Sequence, residues 1–233
     1  MSRLIAFRPV HVMLFMCVVG GLMAWSGCTK APQQPSSQPP IDAIALKPIK
    51  VEADTPYAHV FKPLDGHWKG TFAIYTDTRG QTGASSRRPT IEELDPKVWK
   101  AGEPYALQMT IDVDQRYTSE SPYFQRVVIQ DTYTDAEGNP KTVRSEGVNK
   151  VQEGKLWCVV VKPDETVIHT GESRGDGVLI WSRELLKPAI KVEYFYEEVQ
   201  GDTYSITGWG IYAGDQPDQG PRMYFHGVYQ RAP

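Results

Sequence analysis

An all-β fold, an antiparallel up-and-down barrel of about ten strands, is what this sequence predicts, and three observations carry the prediction. From Trp68 onward apolar and polar residues alternate in short runs, the period of a strand with one buried face. Turn signals separate the runs at short, even intervals: Ser119-Glu120-Ser121-Pro122, residues 135–140, Glu153-Gly154, Pro163-Asp164, Gly175-Asp176-Gly177 and Gly201-Asp202. The chain is 11% aromatic, with 12 Tyr and 6 Trp, and these residues suit a pleated, half-buried surface. Closing such a sheet removes its exposed edges, and a barrel of this size can enclose one small ligand.

The chain before the barrel has a different character. Arg3 and Arg8 form a basic start, and residues 10–25 form an apolar stretch interrupted by His11, Gly20 and Gly21. That stretch is short for a spanning helix, and its flanks are those of a signal peptide over residues 1–27. Its end, Ser26-Gly27-Cys28, resembles a bacterial lipobox, although Trp25 stands where an aliphatic residue is usual. The resemblance implies a diacylated Cys28 as mature N-terminus, and acyl chains contribute about 0.8 kcal/mol per buried methylene to membrane attachment. Thr29 and Lys30 follow where a retention signal would have Asp, which by the enterobacterial sorting rule implies the outer membrane; which face is left open. Residues 28–56 then read as a tether, with the Pro-Gln-Gln-Pro-Ser-Ser-Gln-Pro-Pro run extended and semi-rigid. Residues 57–233 are the barrel domain.

Within the domain, Trp68, Gly70, Phe72 and Ile74 share one face of a first strand. Residues 78–102 are a long excursion, in which Thr90 with Glu93 has capping-box spacing for a short helix before Pro96. Tyr105, Leu107, Met109, Ile111 and Val113 alternate against Gln108, Thr110, Asp112 and Asp114 in the second strand. Further strands are expected at residues 123–134, 141–151, 155–162, 166–172, 178–186, 189–199, 203–212 and 222–231.

Composition excludes several functions. The net charge is −3; beyond Arg3 and Arg8 there are 23 basic and 28 acidic residues with no basic stripe, so no nucleic-acid partner is expected. Cys17 and Cys28 belong to the leader and the lipid site, which leaves Cys158 alone in an apolar run and rules out an internal disulfide or a Cys-based zinc site. His59, His67, His169 and His226 lack His-x-x-x-His or His-x-His spacing, so no metal and no cofactor are expected. Glu197 and Glu198 are neighbours on opposite faces and Asp112 and Asp114 face away from the apolar side; all four read as solvated surface. No Gly-x-Ser-x-Gly, phosphate loop or dinucleotide fingerprint is present, and no catalytic residue is assigned.

Gly66-His67-Trp68 on a first strand, the strand count and the terminal Gln230-Arg231 together resemble the calycin superfamily of lipocalins and fatty-acid-binding proteins. The resemblance implies that Trp68 sits at the closed end of the barrel with Arg231 packed across it and Gly66 beside them. In a nitrobindin-like calycin a histidine placed as His226 ligates haem; a satisfied or exposed imidazole is the plainer reading. Gln115-Arg116-Tyr117 followed by Pro122-Tyr123-Phe124-Gln125-Arg126-Val127 is similar to the central hairpin of the phycobiliprotein (chromophore) lyase family, itself calycin-like. That likeness implies attachment chemistry through Gln115 and Arg126.

The leading expectation is a lipoprotein anchored at the outer membrane whose barrel binds or carries a small hydrophobic ligand. Phe72, Ile74, Met109 and Ile111 are the expected lining, with Gln115, Arg126 and His226 as further candidates. A non-catalytic envelope interaction module with a packed interior, and a chromophore-lyase-like protein, are the alternatives.

Overall fold

A computed structural model describes residues 45–48, 50, 52, 54–77, 105–185, 190–214 and 222–233. The signal peptide, Cys28, most of the tether and the helix expected after Thr90 lie outside these residues. Among the described residues, ten strands follow one 3-10 turn, Lys62–Leu64. They are β1 (Gly66–Asp77), β2 (Tyr105–Ser121), β3 (Phe124–Thr134), β4 (Pro140–Gln152) and β5 (Lys155–Val161), then β6 (Thr166–Ser173), β7 (Val178–Leu185), β8 (Ile190–Gln200), β9 (Thr203–Gly214) and β10 (Arg222–Ala232). Each strand pairs antiparallel with its chain neighbours, and β1 closes on both β2 and β10, so the sheet is an up-and-down barrel without a free edge.

The two ends of the barrel differ because their connections differ. At one end the hairpins are tight. Glu153 and Gly154, both at positive φ, make a two-residue turn between β4 and β5, and Gly201 at φ 60° opens the turn between β8 and β9. This end is sealed. Trp68 is fully buried, donates from Nε1 to Leu64 O at 2.7 Å, and meets the Tyr204 ring edge-on at 5.6 Å. The Arg231 guanidinium lies 4.2 Å from the centroid of the Trp68 ring, and its Nη1 donates to Asp65 O at 2.6 Å. The 3-10 turn tucks Leu64 into the core and Phe61 stacks on Trp181.

Asp65 ties this plug to the hairpin of β2 and β3, accepting from Ser119 N and Oγ at 2.8 Å each and from Gln125 Nε2 at 2.9 Å. Desolvation alone would raise the Asp65 pKa; the hydrogen bonds from Lys62, Gln125 and Ser119 together outweigh it and hold the carboxyl below its usual range.

Two expectations about faces are corrected by the register. Between Ile74 and Tyr75 the pairing with β2 slips, because Ile74 faces Met109 while Tyr75 faces Leu107. The extra residue on β2 reverses the alternation before it, as a bulge does. Leu107 therefore points outward and is 57% exposed, and Tyr105 packs on Tyr224, 4.3 Å between ring centroids, in a cluster on the outer wall with Trp209, Val192 and Ile211. On β8 the inward face is not the apolar-looking one. Val192 and Tyr194 belong to the outer cluster, while Glu193, Phe195 and Glu197 face the interior. Glu197 is thus half-buried on the cavity wall and not solvated surface, as its sequence context suggested, and Glu198 on the other face is buried.

The end of the tether lies against the barrel. Leu46 packs on outward-facing Phe124, Val148 and Val159, and Lys150 Nζ donates to Ala45 O at 2.8 Å. This explains why apolar outer-wall residues on β3, β4 and β5 are hidden from water.

Candidate functional site

Strand alternation sends one residue in two into the barrel, and in this barrel those side chains do not fill it. Glycines stand at several inward positions opposite large rings. Cβ atoms at Gly171 and Gly208 would come within 2.4 Å of Trp181 and 2.6 Å of Phe195, so the rings lie across the backbone there. A cavity of about 380 Å³ remains above the sealed end. Its belt is apolar, with Phe72, Ile111, Ile129, Phe195, Ile206 and Phe225 among its walls. Phe225 stacks on Phe72 and Phe195 at centroid distances of 5.7 and 5.4 Å.

Three polar groups enter this belt from β2 and β4. Gln115, Ser145 and Asn149 line the cavity and are each at most 4% exposed. Gln115 Oε1 accepts from Tyr117 and Asn149 Nδ2 donates to Gln125, but Gln115 Nε2, Ser145 Oγ and Asn149 Oδ1 find no hydrogen-bond partner among the described residues. A buried polar group without a partner costs about 1–3 kcal/mol, so three such atoms around one space mark it as built for something.

Toward the mouth the walls are charged and paired. Glu193 on β8 binds His169 Nε2 at 2.8 Å and accepts from Tyr212 Oη at 2.5 Å. Arg183 on β7 donates to Glu165 at 3.2 Å and places Nη1 3.5 Å from Glu193, in ion-pair range without a hydrogen bond. Lys191 completes the group by donating to Glu165 at 2.5 Å. Burial would push the Glu193 carboxyl up; the hydrogen bond and charge of His169, then Tyr212 and Arg183, outweigh it and hold it at about 2. Asp131, also at the cavity wall, goes the other way: burial raises its pKa against the pull of Lys162.

The base of the cavity is acidic, with no basic partner among the described residues. Glu197 accepts hydrogen bonds from Trp181 and Tyr204, yet its desolvation dominates and pushes the carboxyl up to about 7. Tyr117, Tyr204 and Tyr229 surround it, and burial followed by the Glu197 charge raises each of them well above an ordinary tyrosine. Cys158 shares this wall, and burial, then Glu197, push its thiol far up, so it stays protonated and inert as a nucleophile.

Of the residues singled out in the sequence, Phe72, Ile74, Ile111 and Gln115 line the cavity, whereas Met109 is half-buried and outside its lining. Arg126 lies on the outer wall, exposed, paired with Glu120 at 2.5 Å and over the Phe124 ring at 5.4 Å. It does not meet Gln115, because positions 115 and 126 have opposite faces in the β2–β3 register. His226 sits between the inward Phe225 and Gly227 and so belongs to the outer face, where burial lowers its pKa. Gly66 is held at φ 129° with Arg231 Nη1 against it, beside Trp68. Sequence reasoning missed Glu197, Glu193, His169, Arg183, Ser145 and Asn149. The signal was the alternation itself: once Phe195 faces inward, Glu193 and Glu197 must follow. Among the described residues, no group of three or more His, Cys, Asp or Glu is placed to hold a metal ion.

No protein-family model matches this chain, and no curated protein matches it. Among solved structures it is similar to an S-type phycobiliprotein lyase from Guillardia theta, at 10% identity, over 74% of this chain and 90% of that one, with a TM-score of 0.44. It is also similar to a redesigned β-barrel, at 12% identity over 76% of this chain and 97% of that one, TM-score 0.32. A third is EF1p2_mFAP2b bound to DFHBI, at 14% identity over 76% of this chain and 99% of that one, TM-score 0.32. At these identities and scores the likenesses carry nothing about what this chain binds.

Proposed function

We propose that this protein is a small-molecule binding barrel, held at the cell envelope by a lipid on Cys28. The observation that carries the reading is the cavity of about 380 Å³, apolar and aromatic around its belt, into which Gln115 Nε2, Ser145 Oγ and Asn149 Oδ1 point without partners. Such a space suits a ligand whose body packs on Phe72, Phe195 and Phe225 while a few polar atoms satisfy the β2–β4 wall. The ligand is therefore amphipathic, not purely apolar. Cys158 is held protonated and Arg126 points outward, so these two candidates do not meet Gln115 in an attachment site among the described residues. Anchoring rests on the lipobox-like Ser26-Gly27-Cys28 and the proline-rich tether.

Native mass spectrometry of the full chain purified from cells tests the binding reading. A retained mass that fits the cavity supports it; an empty protein that takes up no compound from a small-molecule library overturns it. Metabolic labelling with a palmitate analogue tests the anchor, since Cys28→Ala must abolish the label.

A further inference from the structure

We propose that the ligand of this barrel carries a protonated amine, held against the Glu197 carboxylate at the base of an aromatic cup. This rests on the small-molecule reading above and names the class of ligand for the same cavity.

Neutral donors and other acids surround Glu197. It lies near the sealed end of β8 and lines the cavity. Its hydrogen bonds come from Trp181 on β7 and Tyr204 on β9, both neutral donors. The other titratable groups around it are Tyr117 on β2, Cys158 on β5 and Tyr229 on β10, and every one of them is an acid that the Glu197 charge disfavours ionising. Among the described residues, no base is among the groups that act on it. The basic side chains of this half-open interior gather at the other end, where Arg183, Lys191 and His169 are engaged by Glu165 and Glu193, and Lys162 acts on Asp131.

A carboxylate removed from water needs a counter-charge, and two neutral donors do not supply one. Desolvation therefore pushes the Glu197 carboxyl up to about 7. An ammonium group arriving at the base of the cavity would restore its ionisation and send the displaced proton to solvent. The rings above it suit the same charge. Phe72, Phe195 and Phe225 wall the cavity, and aromatic faces attract a desolvated cation. A carboxylate ligand group would instead meet the charge of ionised Glu197, and that repulsion opposes whatever hydrogen bonds the tyrosine hydroxyls could donate to it.

Three indoles with cationic, neutral and anionic side chains test this: tryptamine, tryptophol and indole-3-acetate, titrated calorimetrically into the full chain. At pH 8 tryptamine is expected to bind about tenfold tighter than tryptophol, with indole-3-acetate weakest. Glu197→Gln is expected to bind tryptophol as the wild type does and to lose the preference for tryptamine. At pH 6.5 tryptamine binding to the wild type should release a proton, read as a dependence of the heat on the buffer's ionisation enthalpy, while tryptophol binding should not. The variant keeps His169 and Glu193, so any pH dependence that survives in it belongs to the mouth. If Glu197→Gln does not fold, proton release and the loss of preference at pH 5 in the wild type decide the matter. Equal binding of tryptamine and tryptophol to the wild type overturns the amine and leaves the binding barrel standing. Failure of tryptamine to bind along with the other two indoles overturns the amine as well, while the binding barrel itself stands or falls on the native mass spectrometry above.

Discussion

Replacing Glu197 with Gln should make the protein more stable at alkaline pH, and the size of the effect follows from where the carboxyl sits. An unfolded glutamate has a pKa of 4.5, and burial at the base of the cavity raises it to about 7. Below pH 4.5 both states hold the proton and the side chain contributes fully. As pH rises through that value the unfolded chain gives up its proton while the folded chain keeps it, and the folded state loses ground until Glu197 ionises too, near 7. At ~1.4 kcal/mol per pKa unit the gap amounts to about 3 kcal/mol. Gln keeps an acceptor for Trp181 and Tyr204 but cannot ionise, so it escapes this loss. The stability difference, variant minus wild type, should therefore grow by about 3 kcal/mol between pH 4 and pH 8. For a domain of this size that is roughly 6–12 °C in Tm. Urea denaturation followed by tryptophan fluorescence at both pH values measures it, and the comparison cancels every other titrating group. A difference that is the same at pH 4 and pH 8 would refute the reasoning, because Glu197 would then ionise alike in both states.

Three other outcomes are expected. Glu193→Gln removes the partner of His169 and Arg183 and should cost about 3–5 kcal/mol at pH 6. With a folded pKa of about 2 against 4.5, that contribution is present above 4.5 and fades as pH falls toward 2, so the penalty measured in urea should shrink in acid. Arg231→Ala loses the contact over Trp68 and the hydrogen bond to Asp65 O and should cost about 2 kcal/mol; if it costs no more than Asp202→Ala, the exposed ion pair at 3.1 Å is all that Arg231 supplies. Gly171→Ala drives a methyl to 2.4 Å from the Trp181 ring, which is pinned on Phe61, and should lower stability by about 1–3 kcal/mol with a changed near-UV spectrum. An unchanged Tm would mean that the ring slides aside.

Much of this fold is written locally. The strand count, nearly every strand boundary and the closed end could be read because period-2 alternation, turn residues and a Gly-x-Trp start are properties of a few adjacent residues. The candidate site was half legible. Phe72, Ile74, Ile111 and Gln115 fall on faces that alternation assigns from β1 and the later half of β2, where the register with β1 is regular.

Where reading failed, the cause was long-range. Nothing in the residues around Leu107 announces the bulge, which exists because β1 and β2 must stay paired while the barrel coils. Nothing around Glu197 tells which side of β8 is inside. The run Val192, Tyr194, Tyr196 looks more like a core than Glu193, Phe195, Glu197, and only pairing with β7 and β9 turns the acidic face inward. Arg126 seemed available to Gln115 in sequence, and the register put a wall between them.

The sequence by itself therefore determined the architecture, about ten strands joined by turns, while Trp68 under Arg231 was implied by a resemblance and is what the structure shows. Tertiary structure alone decided the chemistry of the interior, because closure chooses which of two alternating faces loses contact with water. That choice took Glu197 from a surface carboxylate to a desolvated acid on the cavity wall, with no basic partner among the described residues.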